Sequence, residues 1–297
     1  ELVRLMVAIY GGPIPSGENP HMQDFLDCIA SGKTPVLGSV ATAAQRVLEA
    51  QDSMSYLPIP GLATYAAAVQ RLMFGESHEA VTSGRVRTAQ TPGGTGALRV
   101  TGDFLAHSLP GATLWMTDPT WPNHAGIFSA AGVSLAKFPY FDPKTNQLAY
   151  SDMMGVLNDI PKGDAVLLHG CCHNPTGIDY TSAQWDEIAA LLAESPVLPV
   201  VDLAYQGLGE GMDEDAYGAR AVVDAVPEAL IAYSCDKNFG LYRDRVGALY
   251  VLARDGEELI RTLSNGHALA RAAWSMPPDH GAAAVRLVLE DEKTTAQ

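Results

Sequence analysis

Ser234-Cys235-Asp236-Lys237-Asn238-Phe239-Gly240-Leu241-Tyr242-Arg243-Asp244-Arg245-Val246-Gly247 follows a short apolar run, Ala229-Leu230-Ile231-Ala232-Tyr233, which Pro227 precedes. The run reads as a buried strand. A lysine just beyond such a strand is held near the sheet edge where open α/β sheets bind their ligands. Kept from bulk water, Lys237 loses part of its preference for the charged form and can act as an amine nucleophile toward a carbonyl. Ser234 and Arg245 flank it with a hydroxyl and a guanidinium, groups suited to an anionic phosphate. A surface lysine in an ordinary ion pair is the competing reading, and the lysine alone does not separate the two.

The 297 residues suffice to bury a sizeable core, as one large domain or one large plus a partial one. No apolar run is long enough to cross a bilayer, and the first residues lack the pattern of a secretory leader. Nineteen Lys and Arg stand against 34 Asp and Glu, a net charge of −15, which argues against nucleic acid or an anionic membrane as partner. Cys28, Cys171, Cys172 and Cys235 match neither zinc spacing nor a disulfide framework. Buried thiols in a reducing cytoplasm, with no metal, are the expectation.

Outward from the lysine segment, apolar runs predict strands over 85–90, 113–117, 134–138, 165–170, 197–201, 229–233 and 246–252. Helical spacing predicts helices over 40–50, 61–74, 153–159, 181–194 and 256–273, the second stopped by Gly75 and the fourth opened by a Thr181/Gln184 capping box. Alternating strands and helices imply an α/β fold, a mainly parallel sheet with helices on both faces. Residues 1–38 read as irregular: a weak strand at 5–10, loop chemistry, then a helical turn or two near 22–29.

Four strand ends carry chemistry. Thr91-Pro92-Gly93-Gly94-Thr95-Gly96 leads from a strand into a helix, an arrangement that aims backbone N–H groups at an anion. It is neither a Walker loop nor a Rossmann fingerprint. Asp118-Pro119-Thr120-Trp121-Pro122-Asn123-His124 offers an aromatic face that suits core packing or ring stacking alike. Asn174-Pro175-Thr176-Gly177 is a turn, and His173 before it reads as a structural histidine. Asp202 ends an apolar strand, where a carboxylate has to be paired or solvated.

Taken in order, Gly93–Gly96, Asp118–His124, Asn174–Gly177, Asp202-Leu203-Ala204-Tyr205-Gln206-Gly207 and Ser234–Gly247 resemble class I aminotransferases, pyridoxal-phosphate enzymes of the aspartate and aromatic amino acid group. The resemblance covers residues 32–290 and implies the large domain of the fold type I PLP-dependent transferases. It implies that Lys237 forms the Schiff base, with Ser234, Arg245, Gly93, Gly94 and Thr95 holding the phosphate. Trp121 would stack on the ring with His124 beneath it. Asp202 would pair with the ring nitrogen, while Asn174 and Tyr205 meet the phenolic oxygen. Tyr56 would reach the partner subunit's cofactor in a homodimer, Arg271 would bind a distal substrate carboxylate across the interface, and Ala8 would lie against substrate. Asp236 departs from the family, which carries a small hydroxyl residue there; a carboxylate beside a phosphate is repulsive unless it turns away.

The activity implied is transfer of an amino group from an aromatic or dicarboxylic L-amino acid to a 2-oxo acid such as 2-oxoglutarate. Cys171-Cys172-His173 and residues 206–212 lean toward the aromatic branch. Against the family, residues 11–31 read as an insertion, and 39–297 as the cofactor-binding large domain with the C-terminal small domain and its carboxylate-clamping arginine missing. The alternative is therefore a relative that binds the cofactor without efficient turnover. A third reading is a β-decarboxylase or lyase chemistry on the same scaffold.

Overall fold

A computed structural model describes residues 36–290. The expectations for the 5–10 strand, Ala8, the 11–31 insertion and Cys28 lie outside the described residues. In chain order the elements are α1 (Val36–Ala50), α2 (Ala63–Phe74), α3 (Glu79–Thr82), β1 (Val86–Pro92), α4 (Gly93–Ser108), β2 (Thr113–Asp118), α5 (Pro122–Ala130) and β3 (Ser134–Pro139). A small hairpin, β4 (Phe141–Asp142) and β5 (Gln147–Leu148), precedes α6 (Tyr150–Asn158), β6 (Ala165–His169), α7 (Ser182–Glu194) and β7 (Leu198–Leu203). The chain continues through α8 (Tyr217–Ala225), β8 (Ala229–Ser234), β9 (Val246–Leu252), α9 (Gly256–Trp274) and α10 (His280–Glu290).

The sheet has seven strands in the order β1-β9-β8-β7-β6-β2-β3. From β8 to β3 all neighbours are parallel; β9 alone runs antiparallel, to β1 on one side and β8 on the other. The central strands are apolar throughout because both faces are covered. Val166, Leu168, Val201, Ile231, Tyr233 and Tyr250 enter one core. Their alternates Ala165, Leu167, Val200, Leu230, Ala232 and Leu249 enter the other, which α4 covers with Ala97, Leu98, Val100 and Leu105. This is the period of two that a pleated strand imposes.

The expected helices form at or within a few residues of their expected bounds, and α7 opens on the Thr181/Gln184 capping box. Asp255 caps α9 by accepting from the N–H groups of Glu257 and Glu258 at 2.9 Å. The short helices α3, α5 and α8 had no sequence forecast. α5 carries no one-sided apolar stripe, and α8 is short and contains Gly218, against which the Trp185 indole of α7 packs where a side chain would otherwise stand. No helix among the described residues is long and apolar enough to cross a membrane.

Candidate active site

Parallel strands bring their carboxyl ends to one edge, and the residues singled out above stand along it. β1 runs without a break into α4, so Gly93, Gly94 and Thr95 form the first turn of a 16-residue helix whose N–H groups point off the sheet edge. The register carries this turn to the lysine segment: Thr91 faces Gly247 and Pro92 faces Val246, while Gly247 in turn faces Ser234. Glycines permit the approach. A Cβ on Gly94 would stand 3.1 Å from that of Ser234, one on Gly93 2.8 Å from Oδ2 of Asp236, and one on Gly247 2.6 Å from the Gly93 carbonyl oxygen. Gly93 also has φ +71°, a conformation side chains disfavour. Underneath, the Tyr65 hydroxyl donates to the Gly247 carbonyl at 3.0 Å and lies 3.3 Å from Cys235 Sγ.

Asp236 is buried and takes both kinds of partner available to it. One oxygen accepts from the Val246 N–H at 2.8 Å; the other is in contact with the Arg245 guanidinium, which also donates to the Tyr242 carbonyl at 3.1 Å. Burial pushes its carboxyl pKa up, against the Val246 N–H and the charges of Arg245 and Lys237. The carboxylate has thus turned onto the arginine flanking the lysine.

Lys237 places Nζ 4.1 Å from the centre of the Tyr205 ring, a cation–π distance. Burial lowers its pKa; Asp202 and Asp236 oppose that shift and Arg245 adds to it.

Asp202 sits in the middle of the sheet, opposite His169 of β6 and Ala232 of β8, and only 9% of it is exposed. Burial alone would raise its pKa, but the hydrogen bond from His124, with the charge of Lys237, outweighs it and holds the carboxyl below its ordinary range. His124 Nε2 is 2.9 Å from Asp202 Oδ2; Thr120 Oγ1 is 2.8 Å from His124 Nδ1 and 3.0 Å from His169 Nε2. The Asn174 N–H donates to His169 Nδ1 at 3.4 Å. That bond sets the direction of the chain. With Nδ1 accepting, His169 carries its proton on Nε2 and donates to Thr120, which donates to His124, which donates to Asp202. Burial holds His169 neutral, its pKa lowered to about 4.

Trp121 precedes α5 and meets the His124 ring edge-on at 5.2 Å. His173 is buried between the hydroxyls of Thr117 and Thr176, at 3.0 and 2.8 Å, and stacks on Tyr140 at 3.7 Å; burial lowers its pKa to about 2. It is a satisfied structural histidine.

The structure therefore gathers Gly93, Gly94, Thr95, Trp121, His124, Asn174, Asp202, Tyr205, Ser234, Lys237 and Arg245 along one sheet edge. Tyr56 and Arg271 stand apart. Tyr56 is 87% exposed and lines a surface cleft with Arg46, Asp52, Asp279 and Arg286; Arg271 is exposed in the last turn of α9. Ala8 lies outside the described residues. Sequence reasoning missed His169 and Thr120. The available signal was a histidine closing the buried run Ala165–His169, where an imidazole needs a partner.

The family model for aminotransferase class I and II matches residues 28–297. The chain is similar to the aromatic-amino-acid aminotransferase of Pseudomonas aeruginosa, 46% identical over 264 residues, 89% of this chain and 66% of that protein. It is 44% identical to the aspartate aminotransferase of Escherichia coli over 266 residues, 90% of this chain and 67% of that one. Among solved structures, the aromatic-amino-acid aminotransferase of Burkholderia pseudomallei covalently bound to pyridoxal phosphate superposes with a TM-score of 0.86 at 40% identity, over 90% of this chain and 67% of the other. The chain thus spans about two thirds of the length of the curated relatives it matches. Fold, ordered motifs and matched length agree, and the chain belongs to the class I and II aminotransferase family.

Proposed function

We propose that this chain is an aminotransferase that binds pyridoxal 5′-phosphate through residues 39–297 and moves the amino group of an aromatic or dicarboxylic L-amino acid to a 2-oxo acid such as 2-oxoglutarate. The observation carrying the reading is a single strand-end edge that carries Lys237, its Nζ 4.1 Å from the Tyr205 ring centre, together with the buried carboxylate of Asp202 and the Arg245–Asp236 pair against Gly93. The residues fit the group. A Cβ at Gly93 would strike Asp236 and Arg245 and one at Gly94 would crowd Ser234, so glycine is what lets the α4 N-terminus come up to the residues that would hold its phosphate, and Asp202 offers a buried anion to a protonated ring nitrogen. When bound, the cofactor supplies an electron sink for charge developing at the substrate Cα.

The protein's own groups divide the remaining work. Lys237 would hold the cofactor through its aldehyde carbon, and its neutral amine would serve as the base at the substrate's Cα proton. Its lowered pKa serves both roles, since the neutral amine is the reactive form. The Asp202–His124–Thr120–His169 chain holds one carboxylate oxygen in place and keeps it ionised. Tyr205 and Asn174 would meet the phenolic oxygen, Trp121 would offer a flat face to the ring, and the α4 N-terminus with Ser234 and Arg245 would receive the phosphate. Tyr56 and Arg271, exposed in one chain, are assigned to a homodimer, where Tyr56 meets the partner's phosphate and Arg271 a distal substrate carboxylate. Free thiols at Cys171, Cys172 and Cys235 support a reducing cytoplasm.

The test is spectroscopic and covalent. Adding glutamate or an aromatic amino acid to the cofactor-loaded protein should convert the absorbance to that of the aminated cofactor, and borohydride fixation should label Lys237. An unchanged spectrum counts against transamination, and a label on another lysine overturns the site.

A further inference from the structure

The arginine assigned to the phosphate is already engaged. Arg245 contacts the carboxylate of Asp236, and the same carboxylate is anchored by the Val246 N–H at 2.8 Å, so the pair is tied to the backbone of β9. It also lies against the phosphate-seat glycine: the space a Cβ would take on Gly93 is bounded by Asp236 Oδ2 and the Arg245 guanidinium. Asp236 is buried while the Arg245 side chain is 42% exposed, so of the two it is the arginine that an incoming anion can reach. The other charged group acting on Asp236 is Lys237; its further hydrogen bond is from its own N–H to Ser234 Oγ at 3.2 Å.

From this geometry we infer that Asp236 is an internal competitor for Arg245, which weakens the hold of the seat on a phosphate monoester and sets how readily the cofactor leaves. The inference rests on the reading of the site as a pyridoxal-phosphate site. A dianionic phosphate has to share or take the guanidinium from a carboxylate that stays a few ångströms away, and like charges at that distance in a half-buried site repel strongly. A neutral side chain at 236 removes the repulsion and frees the fork of Arg245 for two-point contact with phosphate. The opposite role, Asp236 orienting Arg245 toward the phosphate, makes the opposite forecast.

The experiment compares two aldehydes that differ only in the phosphate. Equilibrium dissociation constants for pyridoxal 5′-phosphate and for pyridoxal are measured by absorbance on the wild type, on Asp236→Asn, which keeps an acceptor for the Val246 N–H, and on Asp236→Ser, which removes the carboxylate with a smaller side chain. The ratio of the two constants isolates the phosphate's contribution from any change at Lys237. The inference expects that ratio to move at least about tenfold in favour of the phosphorylated aldehyde in either variant. Arg245→Gln should then cost more in the Asp236→Asn background than in the wild type, the coupling expected when one residue masks the other. An unchanged ratio, or a shift toward pyridoxal, overturns the inference. Should the asparagine variant not fold, the serine variant decides. Failure of the underlying reading looks different: neither aldehyde would leave a borohydride-fixed label on Lys237 in any variant, which sinks both.

Discussion

His124 presents Nε2 to Asp202 Oδ2 at 2.9 Å, across 78 residues of sequence, and both groups are buried. A lone carboxylate in that position would take up a proton to escape desolvation; the imidazole is the first of the groups that keep it ionised. The strand-end aspartate is therefore charged because a helix from two strands away supports it.

Asp202→Asn keeps the shape and removes the charge. Cofactor-dependent turnover should fall by about a hundredfold to a thousandfold, the scale of losing one preorganised electrostatic contact, while labelling of Lys237 persists. Steady-state kinetics beside borohydride mapping checks both halves.

Lys237→Met should abolish the label without loss of stability. Burial lowers the lysine's pKa in the folded state, so between that lowered value and the ordinary 10.5 the unfolded chain binds more protons, and the lysine's cost to folding shrinks as pH rises. Near neutral pH the methionine variant should match or exceed the wild type in urea unfolding, and its advantage should narrow toward alkaline pH. A clear destabilisation would contradict the burial argument.

Gly93→Ala puts a methyl group onto Asp236 and Arg245 at a residue with φ +71°. The expected cost is about 1–3 kcal/mol of folding free energy, with a larger proportional loss of affinity for the phosphorylated aldehyde than for pyridoxal. Urea unfolding and the paired binding titrations report the two effects separately.

Acid should act first on the buried imidazoles. His169 and His173 have folded pKa values lowered from 6.5 to about 4 and about 2. Between the ordinary value and each lowered one the unfolded chain binds more protons, so stability falls as pH drops through that window, by up to about 1.4 kcal/mol per pH unit for each ring. His169→Gln should flatten the slope between about pH 6.5 and pH 4. Asp202, held below 3.8, adds its own loss only at more acid pH. Unfolding free energies measured across this range decide the matter.

Much of the architecture was legible along the chain. The run Ala229–Tyr233 is apolar at every core-facing position, Thr181 and Gln184 announce the start of α7, and Gly75 ends α2. Lys237 and Asp202 stood out because each charged side chain follows or closes such a run, a local pattern that places it at a sheet edge. The direction of β9 was not legible, since an apolar heptapeptide pairs equally well either way and its partner Thr91 is remote in sequence.

Periodicity and turn chemistry act over a few residues, so this sequence specified its elements, their alternation and the residues at their ends. The partners of those end residues are a matter of three dimensions. Thr120 bridges His124 to His169, 49 residues away, and Asp236 holds Arg245 only because the turn between β8 and β9 folds one back on the other. Charge state and ligand competition depend on such distances and on burial, and these come into being when the sheet assembles.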